Sequence, residues 1–405
     1  MAYTRREFVG LVSASLAASS ARSVSAQRLH SADDPLGVRN DFPVTREYTY
    51  LNSPYIGPSP QSVVDVTKEF LQAKADNPVR LGPMLDETAG VREKFAALIN
   101  ADPGEVGLLS ATSEGENVVT AALDLRPGDN VIIDNLHYDT TVVLYNHLVK
   151  TRGIELRVVE NVEGTSPLDA FARYIDDRTR LISVSWVSHQ NGFQHNLKAL
   201  AELAHSHAAY LYVDAVQGIG ALDLDIRAAD VDFLTAGGYK WLLAGYGVAP
   251  FFVRSELLGE ISADRIGWRQ VEDAHDGDEF RFYEDARKYG YATPAFAAIY
   301  QMSAALDYLL DVGVTAIEGH TVPLALRLNH TLREQGLRVL TPETNRSPTI
   351  AFEHGTDPSR AKRSLDDAGI QASFREGDSQ IRVGVALFNN DADVDRLLEV
   401  TRVWR

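Results

Sequence analysis

The fold of this chain is decided by two segments, Tyr212-Val213-Asp214-Ala215-Val216-Gln217 and Thr235-Ala236-Gly237-Gly238-Tyr239-Lys240-Trp241. The first segment is an apolar strand that ends on a carboxylate. From about residue 105, short apolar runs of this kind alternate with amphipathic stretches, a pattern typical of a mostly parallel sheet covered by helices. Ligands of such sheets bind at the carboxyl ends of the strands, so we expect a site near Asp214.

The alternating region predicts one large α/β domain. Its predicted strands are Val106–Ser110, Val131–Leu136, Leu156–Glu160, Leu181–Val187, Tyr210–Val216, Phe233–Ala236 and Val248–Val253. Its predicted helices are Glu114–Leu125, Tyr138–Lys150 and Leu197–Ala208.

A smaller α+β domain is predicted after a long helix that begins near Phe296. Its strands are expected at Thr349–Phe352 and Gln380–Val385, and its helices at Ser359–Ala368 and Asp391–Val403. We therefore predict an N-terminal arm at 27–60, a large domain at 61–294 and a small domain at 295–405.

Composition limits the classes of partner. The chain has 405 residues, 45% of them hydrophobic, which suggests two domains rather than one. Its net charge of −17 disfavours binding to nucleic acid or anionic lipid, so small molecules and other protein chains are the expected partners. With no cysteine, the chain cannot carry a disulfide, a thiolate metal site or persulfide chemistry, and we predict no metal site.

The first 26 residues resemble a twin-arginine export signal. Arg5-Arg6 precedes an apolar, small-residue stretch to about Ala18, and Val24-Ser25-Ala26 is a small-x-small cleavage site. The alternative is an ordinary amphipathic N-terminal helix. We expect an exported protein, periplasmic or extracellular, and no membrane anchor after signal removal, because no later apolar run approaches the roughly 20 residues that span a bilayer.

Asp214 and Lys240 point to pyridoxal 5'-phosphate (PLP). A carboxylate at the end of a buried strand needs a cationic partner, and the protonated ring nitrogen of PLP is one. We expect Gln217, three residues after Asp214, to reach the ring's phenolic oxygen. The apolar residues after Lys240 favour the neutral amine that bonds to an aldehyde. Alone, Asp214 also fits a helix cap or salt bridge, and Lys240 a surface lysine, so the ordered pair is the stronger signal.

This pair resembles the class V aminotransferase family, and the likeness covers the chain after the signal. The resemblance implies the PLP-dependent transferase fold type I, PLP bound to Lys240, an amino-acid substrate and a homodimer. Residues 110–117 match the family's phosphate turn, in which Thr112 and Ser113 stand at a helix N-terminus. Free N–H groups there bind a phosphate dianion, although an ordinary capped helix start fits equally well.

The resemblance assigns further cofactor contacts. His137 is expected to stack on the cofactor ring, with Tyr138 as second choice. His189 lies where relatives often carry an asparagine near the phenolic oxygen, so its role stays open. The Tyr239 hydroxyl is a candidate phosphate donor, and Thr293 would touch the phosphate in the neighbouring subunit.

Substrate contacts are expected at both ends of the chain. Asn52 and Tyr55 lie in a segment that resembles the family's substrate entrance. Strand alternation turns Arg382 away from the apolar face of its strand, and in the family this arginine binds the substrate α-carboxylate as a bidentate fork. Arg375 is a second candidate, although it is also explained as a solvated turn residue.

Several reactions fit these residues. The family resemblance favours an epimerase like isopenicillin N epimerase or a carbon–sulfur lyase. Transamination stays open, and Tyr239 keeps a kynureninase-like hydrolysis open. A cysteine desulfurase is disfavoured, because that reaction needs a protein thiolate to accept sulfur. A non-catalytic exported binding protein is the alternative of another class, and Lys240, Asp214 and Arg382 together argue against it.

Overall fold

The protein is described here by a computed structural model that covers residues 28, 30–78, 80–274 and 280–404. The predicted export signal at 1–26 lies outside these residues. The strands are β1 (Thr49–Tyr50), β2 (Val106–Leu109), β3 (Asn130–Asp134), β4 (Glu155–Val159), β5 (Thr179–Ser185), β6 (Tyr210–Asp214), β7 (Phe233–Thr235), β8 (Ala249–Val253), β9 (Val271–Ala274), β10 (Phe280–Phe282), β11 (Arg338–Val339), β12 (Thr349–Glu353), β13 (Ile370–Gln371), β14 (Ser373–Arg375) and β15 (Gln380–Gly384).

The α-helices are α1 (Gln61–Asp76), α2 (Leu81–Ile99), α3 (Thr112–Ala122), α4 (Asp139–Arg152), α5 (Leu168–Ala172), α6 (Leu197–His205), α7 (Ile226–Ala229), α8 (Phe296–Val312), α9 (Val314–Glu334), α10 (Pro358–Asp367) and α11 (Asp391–Arg402). The predicted strands and helices are all present, and their ends differ from the prediction by about three residues at most. Local signals fix several of them. In α6 the Asn196 side chain caps the Ala199 N–H, and buried residues at 197, 200, 201 and 204 form one apolar face.

The large sheet has seven strands in the order β2-β8-β7-β6-β5-β3-β4. Strands β7, β6, β5, β3 and β4 run parallel, whereas β8 is antiparallel to both of its neighbours. Both faces are covered, because buried residues of the strands belong to two hydrophobic clusters, one on each side of the sheet. The carboxyl ends of the parallel strands therefore meet at one edge.

The C-terminal part has its own four-stranded antiparallel sheet, ordered β11-β12-β15-β14. Its core contains Ile381, Val383 and Val385 from the strand β15 region. The N-terminal arm packs on this part of the chain: β1 forms a separate two-stranded parallel sheet with β13, and Leu51 is buried in the same core. Helix α8, by contrast, contributes Met302 and Leu306 to the core beneath the large sheet.

The β9–β10 pair is an antiparallel element that the sequence did not indicate. In the described part of the chain no single helix is both long and apolar enough to cross a membrane. Helices α8 and α9 are long and apolar enough when taken together, but the chain bends by 74° between them.

Candidate active site

The site lies where three parallel strands end together. In the sheet register, Asp214 at the end of β6 stands opposite Ser185 of β5 and Thr235 of β7. The loop after β7 brings Lys240 back over this edge. These segments enclose a cavity of about 220 Å³, which is lined by Ser110, Ala111, Thr112, Ser113, Glu116, Tyr138, Thr140, Thr141, Ser185, His189, Tyr212, Asp214, Val216, Gln217, Gly237, Tyr239, Lys240, Tyr246, Gly247 and Val248.

Lys240 is a buried amine with 8% of its surface exposed. Burial lowers the pKa of Lys240 to about 8; Asp214 opposes this shift, and the nearby charges of Arg382 and Arg375 add to it. The lysine segment is held against the N-terminal arm, where the Gly57 N–H donates to the Tyr239 carbonyl at 3.0 Å. A Cβ atom at Gly57 would lie 2.0 Å from the Lys240 carbonyl oxygen, so only glycine allows this approach.

Asp214 faces the same cavity from the strand end. Its Oδ1 accepts the Val216 N–H at 3.0 Å. Burial raises the pKa of Asp214, while the Val216 N–H and the charge of Lys240 oppose the shift. A cation at the inner end of the cavity would satisfy this carboxylate, and the protonated ring nitrogen of PLP is such a cation.

Gln217 lines the cavity, but most of its side-chain amide is already engaged. Its Oε1 accepts the Trp241 indole N–H at 2.9 Å, and its Nε2 donates to the Pro54 carbonyl at 2.9 Å. One amide N–H remains for a ligand. Gln217 therefore also ties the lysine loop to the N-terminal arm, a structural role that the sequence did not indicate.

The start of helix α3 forms another part of the cavity wall, and it can receive an anion. Helix α3 begins at Thr112, and its N-cap residue Ala111 offers no side-chain acceptor to the first N–H groups. Thr112 and Ser113 both line the cavity. A Cβ atom on Gly237 would come within 2.9 Å of Thr112 Oγ1, so the backbone can approach this corner closely. Uncapped N–H groups, hydroxyls and the helix dipole suit a phosphate dianion.

Tyr239 lines the outer part of the cavity together with Tyr246. Their rings stack with centroids 4.6 Å apart and planes 17° apart. Burial raises the pKa of Tyr239 to about 12, with Tyr138, Asp214 and Tyr246 adding to the shift. Tyr239 therefore presents a neutral hydroxyl, which can donate to a phosphate oxygen.

The structure places His137 and Tyr138 differently relative to the cavity, and stacking of either ring on the cofactor stays a prediction. His137 is 3% exposed and does not line the cavity. Its Nδ1 accepts the Tyr138 N–H at 2.7 Å, and its Nε2 lies 3.0 Å from Ser183 Oγ. The ring that lines the cavity is that of Tyr138, which is 41% exposed. In the loop after β3, the His137 side chain therefore lies in the interior and the Tyr138 side chain lines the cavity.

His189 is placed in the cavity wall with both ring nitrogens buried and without a hydrogen-bond partner among the described residues. Its ring meets the Tyr138 ring edge to face, at 5.0 Å and 79°. Burial lowers the pKa of His189 to about 3, and the charges of Arg375 and Arg382 add to this effect. A neutral imidazole with both nitrogens unused is prepared to bind a ligand.

Arg382 lies beside this histidine rather than in the cavity wall. It is 3% exposed, its Nη1 donates to the His189 carbonyl, and its Nε has no partner within the described ranges. Burial lowers the pKa of Arg382 to about 10, and Arg375 adds to the shift. Strand pairing sets Arg382 opposite Ser373, so Arg375 lies diagonally on the same sheet face. The charges of both arginines act on Lys240 and on His189.

The other residues that were predicted to contact cofactor or substrate lie at different places in the structure. Asn52 accepts a hydrogen bond from Ser373 and bridges to Gly384, so it ties the arm to the small domain. Tyr55 follows it and is 59% exposed. Thr293 does not line the Lys240 cavity; it borders a second depression with Trp268. Its contact with a partner's phosphate stays a prediction.

Glu116 is a cavity residue that the sequence reasoning missed. It lies on α3 four residues after Thr112, on the same helical face, and is buried. The sequence contained a signal for Glu116, because the residue four positions after Thr112 lies on the same face of a helix as Thr112. No group of three or more His, Asp or Glu side chains suited to a metal occurs in the described part of the chain.

These groups together fit PLP. Lys240 supplies an amine for its aldehyde, Asp214 a carboxylate for its ring nitrogen, and the start of α3 donors for its phosphate. The fold and site define a PLP-dependent α/β enzyme.

Comparison with known families agrees. Residues 49–397 match the model of the family described as aminotransferase class-V, and the chain belongs to this family. PLP is therefore the cofactor.

The relatives include several proteins named cysteine desulfurases. A probable cysteine desulfurase of Methanothermobacter thermautotrophicus is 28% identical over 343 residues, which cover 82% of this chain and 85% of the relative. A cysteine desulfurase of Klebsiella pneumoniae is 29% identical over 391 residues, covering 89% of this chain and 96% of the relative.

Solved structures confirm the predicted fold type I architecture. The cysteine desulfurase CsdA of Escherichia coli matches with a TM-score of 0.79 and 25% identity, over 89% of this chain and 96% of that chain. The cystine C–S lyase C-DES matches with a TM-score of 0.79 over 90% of this chain and 99% of that chain. At 19% identity, the second likeness shows the fold alone.

Proposed function

We propose that this protein acts at the α-carbon of an amino acid, as an epimerase or as a carbon–sulfur lyase. The observation that carries the proposal is the buried Lys240 amine, which has a pKa lowered to about 8 and faces a cavity shared with Asp214. PLP, when bound, supplies an electron sink for negative charge at the substrate α-carbon.

The residues of this chain have distinct tasks in such a reaction. Neutral Lys240 would hold the cofactor through its amine, and its Nζ, when free, would accept the α-proton of the substrate. Asp214 keeps the ring nitrogen protonated. We assign the substrate α-carboxylate to Arg382, whose Nη1 is engaged by the His189 carbonyl but whose Nε has no partner within the described residues; its burial would strengthen a charge-assisted pair.

Two outcomes follow from removal of the α-proton. In epimerisation, the Cα–H bond breaks and a proton returns to the opposite face of the same carbon. In elimination, the Cα–H and Cβ–S bonds break, a Cα–Cβ double bond forms, and sulfur leaves with the bonding electron pair. Neither outcome needs a protein thiolate, and the chain has no cysteine. This absence favours both over the desulfurase reaction for which several relatives are named.

The test is a product screen with PLP-loaded protein in D₂O. L-amino acids, cysteine conjugates and kynurenine are offered in turn, and loss of the α-hydrogen signal is followed by NMR. Optical inversion, pyruvate release, keto-acid formation and anthranilate release separate epimerase, lyase, transaminase and kynureninase-like activities. Lys240→Ala serves as the inactive control. If no substrate exchanges its α-hydrogen or yields product, the proposal fails and a non-catalytic binding protein becomes the better description.

Export by the twin-arginine route is part of the proposal. It rests on Arg5-Arg6, the apolar stretch that follows and Val24-Ser25-Ala26. A folded enzyme loaded with its cofactor is a suitable cargo for that route. Cell fractionation should find the protein outside the cytoplasm, and Arg5→Lys combined with Arg6→Lys should retain it inside. Retention of the unaltered protein in the cytoplasm would contradict export.

A further inference from the structure

Glu116 is a buried carboxyl group that the proposed reaction does not use. It is 5% exposed and contributes to the cavity wall from the second turn of α3. Ser183 Oγ and Tyr145 OH donate to its Oε1 at 2.6 and 2.8 Å, and Thr141 Oγ1 donates to its Oε2 at 3.3 Å. Only hydroxyl groups therefore donate to this carboxyl group within the described residues.

The charged and titratable neighbours of Glu116 come from three elements and one loop. Helix α4 contributes Tyr145, β6 contributes Tyr212 and Asp214, and His137 lies behind Ser183 of β5. Burial raises the pKa of both tyrosines well above the ordinary value and lowers that of His137 to about 4, so these three groups are neutral near pH 7. Asp214 is thus the charged group that acts on Glu116, and Lys240, which lines the same cavity, acts on Asp214.

A carboxylate in this setting is poorly stabilised. It would be out of water and close to a second carboxylate, and none of its hydrogen-bond partners among the described residues is a cation. Burial raises the pKa of Glu116 to about 7; the Ser183 and Tyr145 hydrogen bonds oppose the shift, and Asp214 adds to it. The carboxyl group therefore keeps its proton in acidic solution and loses it near neutrality.

We propose that Glu116 is a positioning residue that holds a proton beside Asp214 and so sets the charge at the inner end of the cavity. With its proton, Glu116 leaves Asp214 as the single negative charge opposite the cofactor's ring nitrogen. When Glu116 has lost its proton, a second negative charge lies near Asp214. This charge makes the proton between Asp214 and the ring nitrogen harder to remove. This inference rests on the PLP assignment and not on the choice of reaction.

The sign of the pH effect follows from proton binding. Because the pKa of Glu116 is raised on folding, from 4.5 to about 7, the folded protein binds this proton more tightly than the unfolded chain. The stabilising effect of the proton is complete below about pH 4.5 and is lost as the pH rises to about 7. Glu116→Gln is a neutral isostere of the protonated form and should lack this loss.

The experiment compares thermal unfolding midpoints of wild type and Glu116→Gln across this pH range, with PLP and without it. The midpoint of the variant minus that of the wild type should increase with pH up to about 7 and then stay constant. In the PLP-loaded proteins, a change in cofactor absorbance near pH 7 should be seen in wild type and be absent in the variant. Glu69→Gln removes the same charge from the exposed face of helix α1, away from the buried network and the phosphate turn, and should keep the wild-type behaviour.

Two results would overturn the inference. Parallel stability curves for wild type and Glu116→Gln would show that Glu116 does not titrate in this range. A stability effect without any difference in cofactor absorbance would show a structural group that does not act on the site. If Glu116→Gln does not fold, Ser183→Ala provides the test, because loss of this donor should move the wild-type absorbance change to higher pH; an unmoved change also overturns the inference. The cofactor-free stability curves do not depend on any reaction, so failure here is distinct from failure of the product screen.

Discussion

Lys240→Ala should abolish covalent capture of PLP. The lowered pKa of Lys240 also predicts how capture by the wild type depends on pH. With a pKa of about 8, roughly 10% of Lys240 is neutral at pH 7, whereas a lysine at 10.5 is roughly 0.03% neutral. The difference is about 300-fold in the concentration of the reactive amine. Capture should therefore be selective for this residue and should approach its maximal rate above about pH 8.

The assay is incubation of the cofactor-free protein with PLP, borohydride reduction after set times and peptide mapping by mass spectrometry. The wild type should carry the label at residue 240, and Lys240→Ala should carry none there. Lys198→Ala, at an exposed lysine of α6, is the matched control and should capture PLP normally. A label on another lysine in the wild type, or a pH midpoint near 10, would refute the reasoning about burial.

Arg382→Leu should keep PLP capture but lose roughly thirtyfold to a thousandfold in kcat/KM, because a bidentate charge-assisted pair with the α-carboxylate contributes about 2–4 kcal/mol. Near-normal kcat/KM would mean that the carboxylate is held elsewhere, with Arg375 tested next, and loss of PLP would make Arg382 a structural residue. The protein should be a homodimer by light scattering, and Thr293→Val should weaken PLP binding in that dimer. A fully active monomer would exclude a partner's contribution from Thr293.

Local sequence was sufficient to predict the main elements of the large domain. Apolar runs such as residues 210–214 remain strands because both faces of the sheet are buried, and their composition alone carries that information. The position of Asp214 at the carboxyl edge of the sheet was also predictable, because the parallel strands of such a sheet end at the same edge. The short β9–β10 pair was not, because residues 271–282 lack a clear alternation of apolar and polar residues.

The sequence by itself determined the chemistry of this protein: an aspartate at a strand end, a lysine in an apolar loop and a helix that begins with two hydroxyl residues. These signals are local, because each depends on residue type and on neighbours a few positions away. Only the tertiary structure decided that Tyr138 rather than His137 lines the cavity, and that the hydrogen-bond donors to the Glu116 carboxyl group in the described part of the chain are all hydroxyls. A side chain's direction at a strand end, and the charges around it, depend on segments far apart in sequence, here α3, α4, β5 and β6.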